Sequence, residues 1–323
     1  MDLILKIIIS VLIPLLLYSF ALYLSEDILL KNISKYSKFY RLKMHVLLIY
    51  TIGFATALQA FLPSLSIAFD GNVKLAYYLN LYNVVMDLSI VFGIFILLFD
   101  FDSKFIDKRL IYILLATIIV HLYIVLFNYL NFLSGAILYL VFLLLSIYIY
   151  IKYKEPNKKR DFKINKNFIV RSGIIILQIL IVMVLLIYSG KLLNNVAEIL
   201  LSIGYKTFFV GYLISLLVFT IPNIIYGIVS WKVEKDINNI IASLIGEALA
   251  IFTIFSGVLA MISPVRFLEE DRIPIISSFF VLYISTLTFS ILFYRNRIPK
   301  FMGIILIILG IILGFINNFY SLK

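Results

Sequence analysis

The sequence predicts an all-α integral membrane protein of ten transmembrane helices, built as two inverted five-helix repeats. Three observations lead there. Of the 323 residues 63% are hydrophobic and only 14% charged, with a mean hydropathy of +1.09, far beyond a soluble domain. The apolar residues fall into runs near the ~20 residues that a helix needs to cross a bilayer. The basic residues collect in alternate gaps between those runs: 21 of the 28 Lys and Arg follow odd-numbered spans. By the positive-inside rule this asymmetry puts both termini outside. The net charge of +11 is thus explained by topology and lipid headgroups, and nucleic-acid binding is set aside.

The ruler of one bilayer per run places the spans at 3–23, 45–69, 73–99, 110–127, 131–151, 170–190, 207–231, 237–262, 274–294 and 300–319. The first has no small-residue cleavage site before Ser25, Glu26 and Asp27, so it reads as a retained span. The basic stretch from Lys152 to Lys163 divides the chain into a first repeat (1–151), a cytoplasmic linker (152–169) and a second repeat (170–323). Five spans per half make the halves antiparallel, so any internal repeat is an inverted one. Zero cysteines exclude disulfides, thiolate metal sites and Cys nucleophiles.

The chemistry sits in polar residues at membrane depth. Asp87 and Glu247 lie inside apolar stretches, one in each half. An ionised side chain there costs at least ~2.5 kcal/mol on insertion scales and usually faces a water-filled cavity or an ion path. Span 2 carries Gly53, Thr56, Gln59 and Pro63 near its middle, and span 7 carries Thr220, Pro222 and Asn223. Matched interruptions of this kind predict an unwound turn in each half, with freed carbonyls beside a binding site. Tyr18-Ser19 and Tyr188-Ser189 are a weaker match late in spans 1 and 6. Asn83 and Asp87, four apart, share a helix face.

This order of a polar mid-helix patch, a short turn and a second span with spaced small and amide residues resembles the α-repeats of the cation/Ca2+ exchanger superfamily, which includes sodium/calcium exchangers. In that family a repeat reads roughly Gly-Thr-Ser-Leu-Pro-Glu and then, in the next span, Gly-Asn-x-x-Gly-Ser-Asn-x-x-Asn. The resemblance covers nearly the whole chain in architecture, but its motifs are eroded. In the first repeat Thr56 takes the family Thr, Gln59 the Pro and Ala60 the acid, so that acid is absent. Asn83 falls on the Ser, Asp87 on the final Asn, and Gly93 keeps the following glycine. In the second repeat Phe219, Thr220, Ile221, Pro222 and Asn223 occupy the Thr-Ser-Leu-Pro-Glu register. With one inserted residue, Gly246 takes the later glycine and Glu247 the serine. Two carboxylates are therefore lost from spans 2 and 7, and two appear on spans 3 and 8.

The resemblance implies a secondary cation antiporter without an organic cofactor, not an enzyme, working by alternating access. Its partners would be membrane lipids and inorganic cations, and the plasma membrane is the simplest location for a chain without targeting signals. The candidate ligands for the transported cation, which could be Ca2+, Na+ or H+, are Thr56, Asn83, Asp87, Thr220, Asn223 and Glu247. All are oxygen donors, as hard cations require. Two other classes stand beside this one. A non-transporting relic of the fold, acting as scaffold or partner subunit, would explain the eroded motifs. A membrane lipid enzyme would need a nucleophile and base or a His/Asp cluster, which the sequence lacks.

Structural roles compete for several of these residues. Asp87 could pair with Lys74, and Glu247 could bond to Ser243. His121 reads as a packed polar group, Lys191 and Glu198 as outer-interface residues, and Trp231 as part of an aromatic belt. Asp100, Asp102 and Asp107, beside Lys104, Lys108 and Arg109, read as solvated loop charge.

Overall fold

The computed structural model describes residues 3–40, 53–100, 108–127, 130–154, 166–234, 238–295 and 298–321. Within these, ten helical rods follow one another. They are α1 (Leu3–Tyr40), α2 (Phe54–Phe69), α3 (Val73–Leu98), α4 (Lys108–Leu126), α5 (Phe132–Tyr153) and α6 (Lys166–Ser202). Then come α7 (Thr207–Ser215 running on to Ile221–Glu234), α8 (Asn238–Ala250 running on to Ser256–Ile262), α9 (Glu269–Arg295) and α10 (Lys300–Ser321). Nine of these rods contain a stretch long and apolar enough to cross a bilayer, and the chain is an integral membrane protein. The described part of α2 has 16 residues; the start expected for its span, 45–52, lies outside the described residues, as do Lys104, Asp102, Asp107 and 155–165 of the linker.

Two rods outrun the spans read from hydropathy. α1 continues from the expected end at 23 to Tyr40, and α6 covers 166–202 where 170–190 was expected. Neither Gly nor Pro interrupts residues 24–40 or 191–202, so nothing in the backbone stops the helix where the apolar run ends. At 1.5 Å per residue α1 is about 57 Å long, well beyond a ~30 Å hydrocarbon core. Glycine supplies the stop after α6. Gly204 adopts φ 103° and Tyr205 N–H bonds back to the Leu200 carbonyl at 3.2 Å; Gly71 does the same after α2, with φ 93° and Asn72 N–H on Ile67 at 3.1 Å.

α3 and α8 form the centre. Of their spanning stretches 78% of residues are buried, against 22% for α5, which turns Leu133, Leu140, Leu144 and Ile151 outward. α6 packs on α1 and α2, α7 on α3, α2 on α8, and α4 on α9. α5 lies against α8 and α10 against α3, so each half lays its last helix on the other half's central one. Both crossings are made at glycine. A Cβ on Gly93 would stand 2.8 Å from the Gly303 carbonyl oxygen, and one on Gly257 would stand 2.8 Å from that of Gly135. Only a residue without a side chain lets the two backbones approach this closely.

The expected unwound turns take another form. α2 is helical through Pro63, and the interruptions are π-helical turns at Asp87–Val91 in α3, Leu216–Thr220 in α7 and Ile251–Phe255 in α8. A π turn widens the ring by one residue and redirects carbonyls without leaving the helix. Hydroxyls add a second bond across two of these turns. Thr220 donates to the Ser215 carbonyl at 3.2 Å and Ser256 to that of Ile251 at 2.7 Å, each five residues back. Pro222, lacking an N–H, stands two residues beyond the last residue of the α7 turn.

Candidate functional site

The two buried acids meet at the crossing of α3 and α8. Asp87 is 1% exposed and Glu247 2%, and the two carboxyl groups are near enough for each to act electrostatically on the other. Each is held by an amide from the opposite half of the chain. Asn223 on α7 donates its Nδ2 to both Asp87 oxygens, at 2.9 and 3.0 Å. Asn83 on α3 donates its Nδ2 to Glu247 Oε1 at 2.7 Å. Thr56 on α2 lies beside Glu247; its hydroxyl donates to the Gly53 carbonyl at 3.0 Å and stands 3.4 Å from the Ser243 hydroxyl. α2 and α8 come this close because Gly53 faces Gly246: a Cβ on Gly53 would lie 2.5 Å from the Gly246 Cα.

Local sequence explains how these side chains converge. Asn83 and Asp87 occupy successive turns of one α3 face, and the π turn begins at Asp87 itself. In α8 the π turn begins at Ile251, four residues after Glu247. The turns therefore sit at equivalent places when Asn83 is aligned with Glu247.

Five of the six candidate ligands are thus in one cluster: Thr56, Asn83, Asp87, Asn223 and Glu247. Thr220 is buried nearby on α7, but its hydroxyl bonds the Ser215 carbonyl of its own helix. The structural pairings weighed for the acids go elsewhere. Lys74 binds Asp271 at 2.6 Å, and Asp271 also accepts from the Tyr78 hydroxyl at 2.7 Å. Ser243 faces Thr56. Asp100, 94% exposed, is paired loosely with Lys300 at 3.4 Å. Trp231 packs on Phe99, ring centroids 4.5 Å apart. Glu198 accepts from Asn194 at 2.9 Å, within α6.

A cavity of about 20 Å³, room for one water or a small ion, opens beside Glu247 and is lined by Thr56, Ser243 and Asn223 with Leu22, Val91, Phe95, Tyr226 and Leu244. It lies toward the end of the core where α3 and α7 finish and α8 begins. Asn83 Oδ1 is buried and without a hydrogen-bond partner, which leaves one amide oxygen free for a further ligand. Among the described residues no group of three His, Asp or Glu converges, so the oxygen set is two carboxylates with amides and hydroxyls.

Two contributors were marked in the sequence without this role. Tyr18 on α1 donates its hydroxyl toward Asn223 Oδ1 at 3.4 Å and packs on Phe219. Ser243 lines the cavity. The Tyr18/Tyr188 match marked the first position without giving its role, and Ser243 carried no signal beyond its proximity to Glu247 in sequence.

This arrangement, two acid-bearing central helices clasped by the halves they do not belong to, has the fold of a sodium/calcium-exchanger-like membrane protein. The likeness is to solved structures of the sodium-calcium exchanger NCX_Mj. In the form soaked with 10 mM Na+ and 10 mM Sr2+ the TM-score is 0.61 at 16% identity, over 94% of this chain and 97% of that one. With 10 mM Na+ and no Ca2+ it is 0.58 at 17% identity, over 94% and 98%. With 2.5 mM Na+ and 0.1 mM Sr2+ it is 0.60 at 16%, over 95% and 98%. No family model and no curated protein matches the chain.

Proposed function

We propose that the protein is a secondary cation antiporter whose transported ion binds between α2, α3, α7 and α8, at Asp87 and Glu247 with Thr56, Asn83 and Asn223. Thr220 contributes by holding the α7 turn that presents Asn223. The observation that carries this reading is a pair of neighbouring buried carboxyl groups, one of which, Glu247, lines a small cavity with Thr56, Ser243 and Asn223. Adjacent carboxylates repel unless a cation or a shared proton stands between them. Competition of Na+, Ca2+ or H+ for that one position couples their movements without ATP.

The likeness to an exchanger of Na+ and Ca2+ supports a transporter rather than an enzyme, and the crossed packing of the two halves supports inverted repeats moving against each other. The basic residues that follow spans 3 and 7 in the sequence support a cytoplasmic side there, with both termini outside; the host membrane of this reading is the plasma membrane. Asn223 also supports the second reading, a non-transporting relic, because amide donors alone already hold both acids.

Thermal melts of the purified protein across Ca2+, Na+, K+, Mg2+, Mn2+ and pH separate the two. An ion that prefers the folded state stabilises it by about 2.7 kcal/mol at a hundredfold excess over its Kd. Stabilisation by one ion, absent from the Asp87→Asn/Glu247→Gln double variant, followed by exchange in liposomes, is the expected result. A melt indifferent to every ion leaves the relic standing.

A further inference from the structure

His121 is fully buried on α4, and its ring is stacked against Tyr77 at 3° between planes and against Phe279 at 22°. Both ring nitrogens are engaged. Nδ1 lies 3.1 Å from the Phe252 carbonyl oxygen and Nε2 lies 3.2 Å from the Tyr77 hydroxyl. A carbonyl only accepts, so Nδ1 carries the proton; in the neutral ring Nε2 then accepts from Tyr77.

The carbonyl is not an ordinary one. Phe252 belongs to the π turn of α8, where the Ser256 N–H bonds the Ile251 carbonyl five residues back in place of the Phe252 carbonyl four back. His121 takes the oxygen that this register leaves over. Its other partner, Tyr77, stands on α3. The bridge therefore joins the two acid-bearing helices, through a third helix. It joins them on the far side of the acids from the cavity: Tyr77 precedes Asn83 on α3 and Phe252 follows Glu247 on α8, whereas the cavity is lined by Val91 and Phe95 beyond Asp87 and by Ser243 and Leu244 before Glu247.

We infer that His121 is a positioning residue of the cation site, which fixes the spacing and register of α3 against α8 by holding the carbonyl released by the α8 π turn, and so sets the affinity for the ion. This rests on the cation-site reading proposed above.

The test compares His121→Phe, which keeps the stacked ring and removes both hydrogen bonds, with His121→Gln, whose amide can donate to Phe252 and accept from Tyr77. The readout is the cation concentration giving half-maximal thermal stabilisation, taken with the ion that stabilises the wild type. Loss of a buried, well-aligned hydrogen bond is expected to raise it about tenfold in His121→Phe, with His121→Gln returning close to wild type. Tyr77→Phe, which removes one hydroxyl and keeps the packing, is expected to fall between them and carries the test if His121→Phe does not fold. A purely structural histidine would lower the melting temperature and leave the half-saturating concentration unmoved; that result overturns the inference, as does a Gln variant no better than Phe. A wild-type protein that responds to no cation overturns the antiporter reading and this one together. Nitrogen NMR of the histidine-labelled protein provides a separate signature, the Nδ1–H tautomer for His121, and an Nε2–H tautomer also overturns it.

Discussion

Asp87 receives two hydrogen bonds from a single amide, at 2.9 and 3.0 Å, and this makes Asn223 the residue on which its orientation depends. Asn223→Ala should cost about 1–3 kcal/mol of stability, the penalty of a buried acceptor left unsatisfied, measurable as a fall in melting temperature without added cation. Asp87→Asn has the opposite expectation. Removing one of two adjacent carboxylates relieves their repulsion, so the ion-free protein should melt no lower than wild type while cation-dependent stabilisation disappears. Both acids and both amides were legible in the sequence, because a charged or amide side chain in an apolar run has no cheap alternative to a specific role. The site roles of Tyr18 and Ser243 were not. Hydroxyls in these helices mostly bond the carbonyl one turn back, as Ser64, Thr117 and Ser285 do, so nothing distinguishes in advance the few that point elsewhere.

At the scale of the helix, the π turns of α3, α7 and α8 are features that sequence reading did not find. Hydropathy reports which residues sit in the bilayer and proline reports where an N–H is missing, but neither records a one-residue shift of hydrogen-bond register. Pro63 and Pro222 suggested a break in each half, and only the second adjoins a π turn. The ten runs themselves were legible, since length and apolarity are what the bilayer selects; the ends of α1 and α6 were not, because a helix persists until a breaker stops it. The Ser256 hydroxyl donates to Ile251 across the α8 turn at 2.7 Å, so Ser256→Ala should destabilise by about 0.5–1.5 kcal/mol. A larger effect is expected where helices touch through backbone. Gly93→Val places a side chain against the Gly303 carbonyl, which cannot rotate away, and should cost at least the ~1–3 kcal/mol of overpacking. Chemical or thermal unfolding would read both.

For the whole molecule, the position of the cavity has a consequence for access. Tyr226 lines it and is partly exposed, while Asn80, on the Tyr77 side of the acids, is 1% exposed. The chain contains no cysteine, so a single introduced thiol is read without background. Tyr226→Cys should react with a membrane-impermeant thiol reagent applied from the side of the central linker and be protected by the transported cation. Asn80→Cys should remain unlabelled from that side. Labelling of both from one side would mean that the acids do not separate two compartments. The same geometry bears on how the chain is made. Asp87 comes from the first half and is held by Asn223 of the second, and Glu247 comes from the second and is held by Asn83 of the first. Each half emerges from synthesis with an acid whose clasp lies on the other, so Asp87 stays without its amide partner until α7 is made. A ribosome stalled at the linker would hold a half-protein in want of its complement, and two halves supplied as separate chains would find one another by the same two clasps.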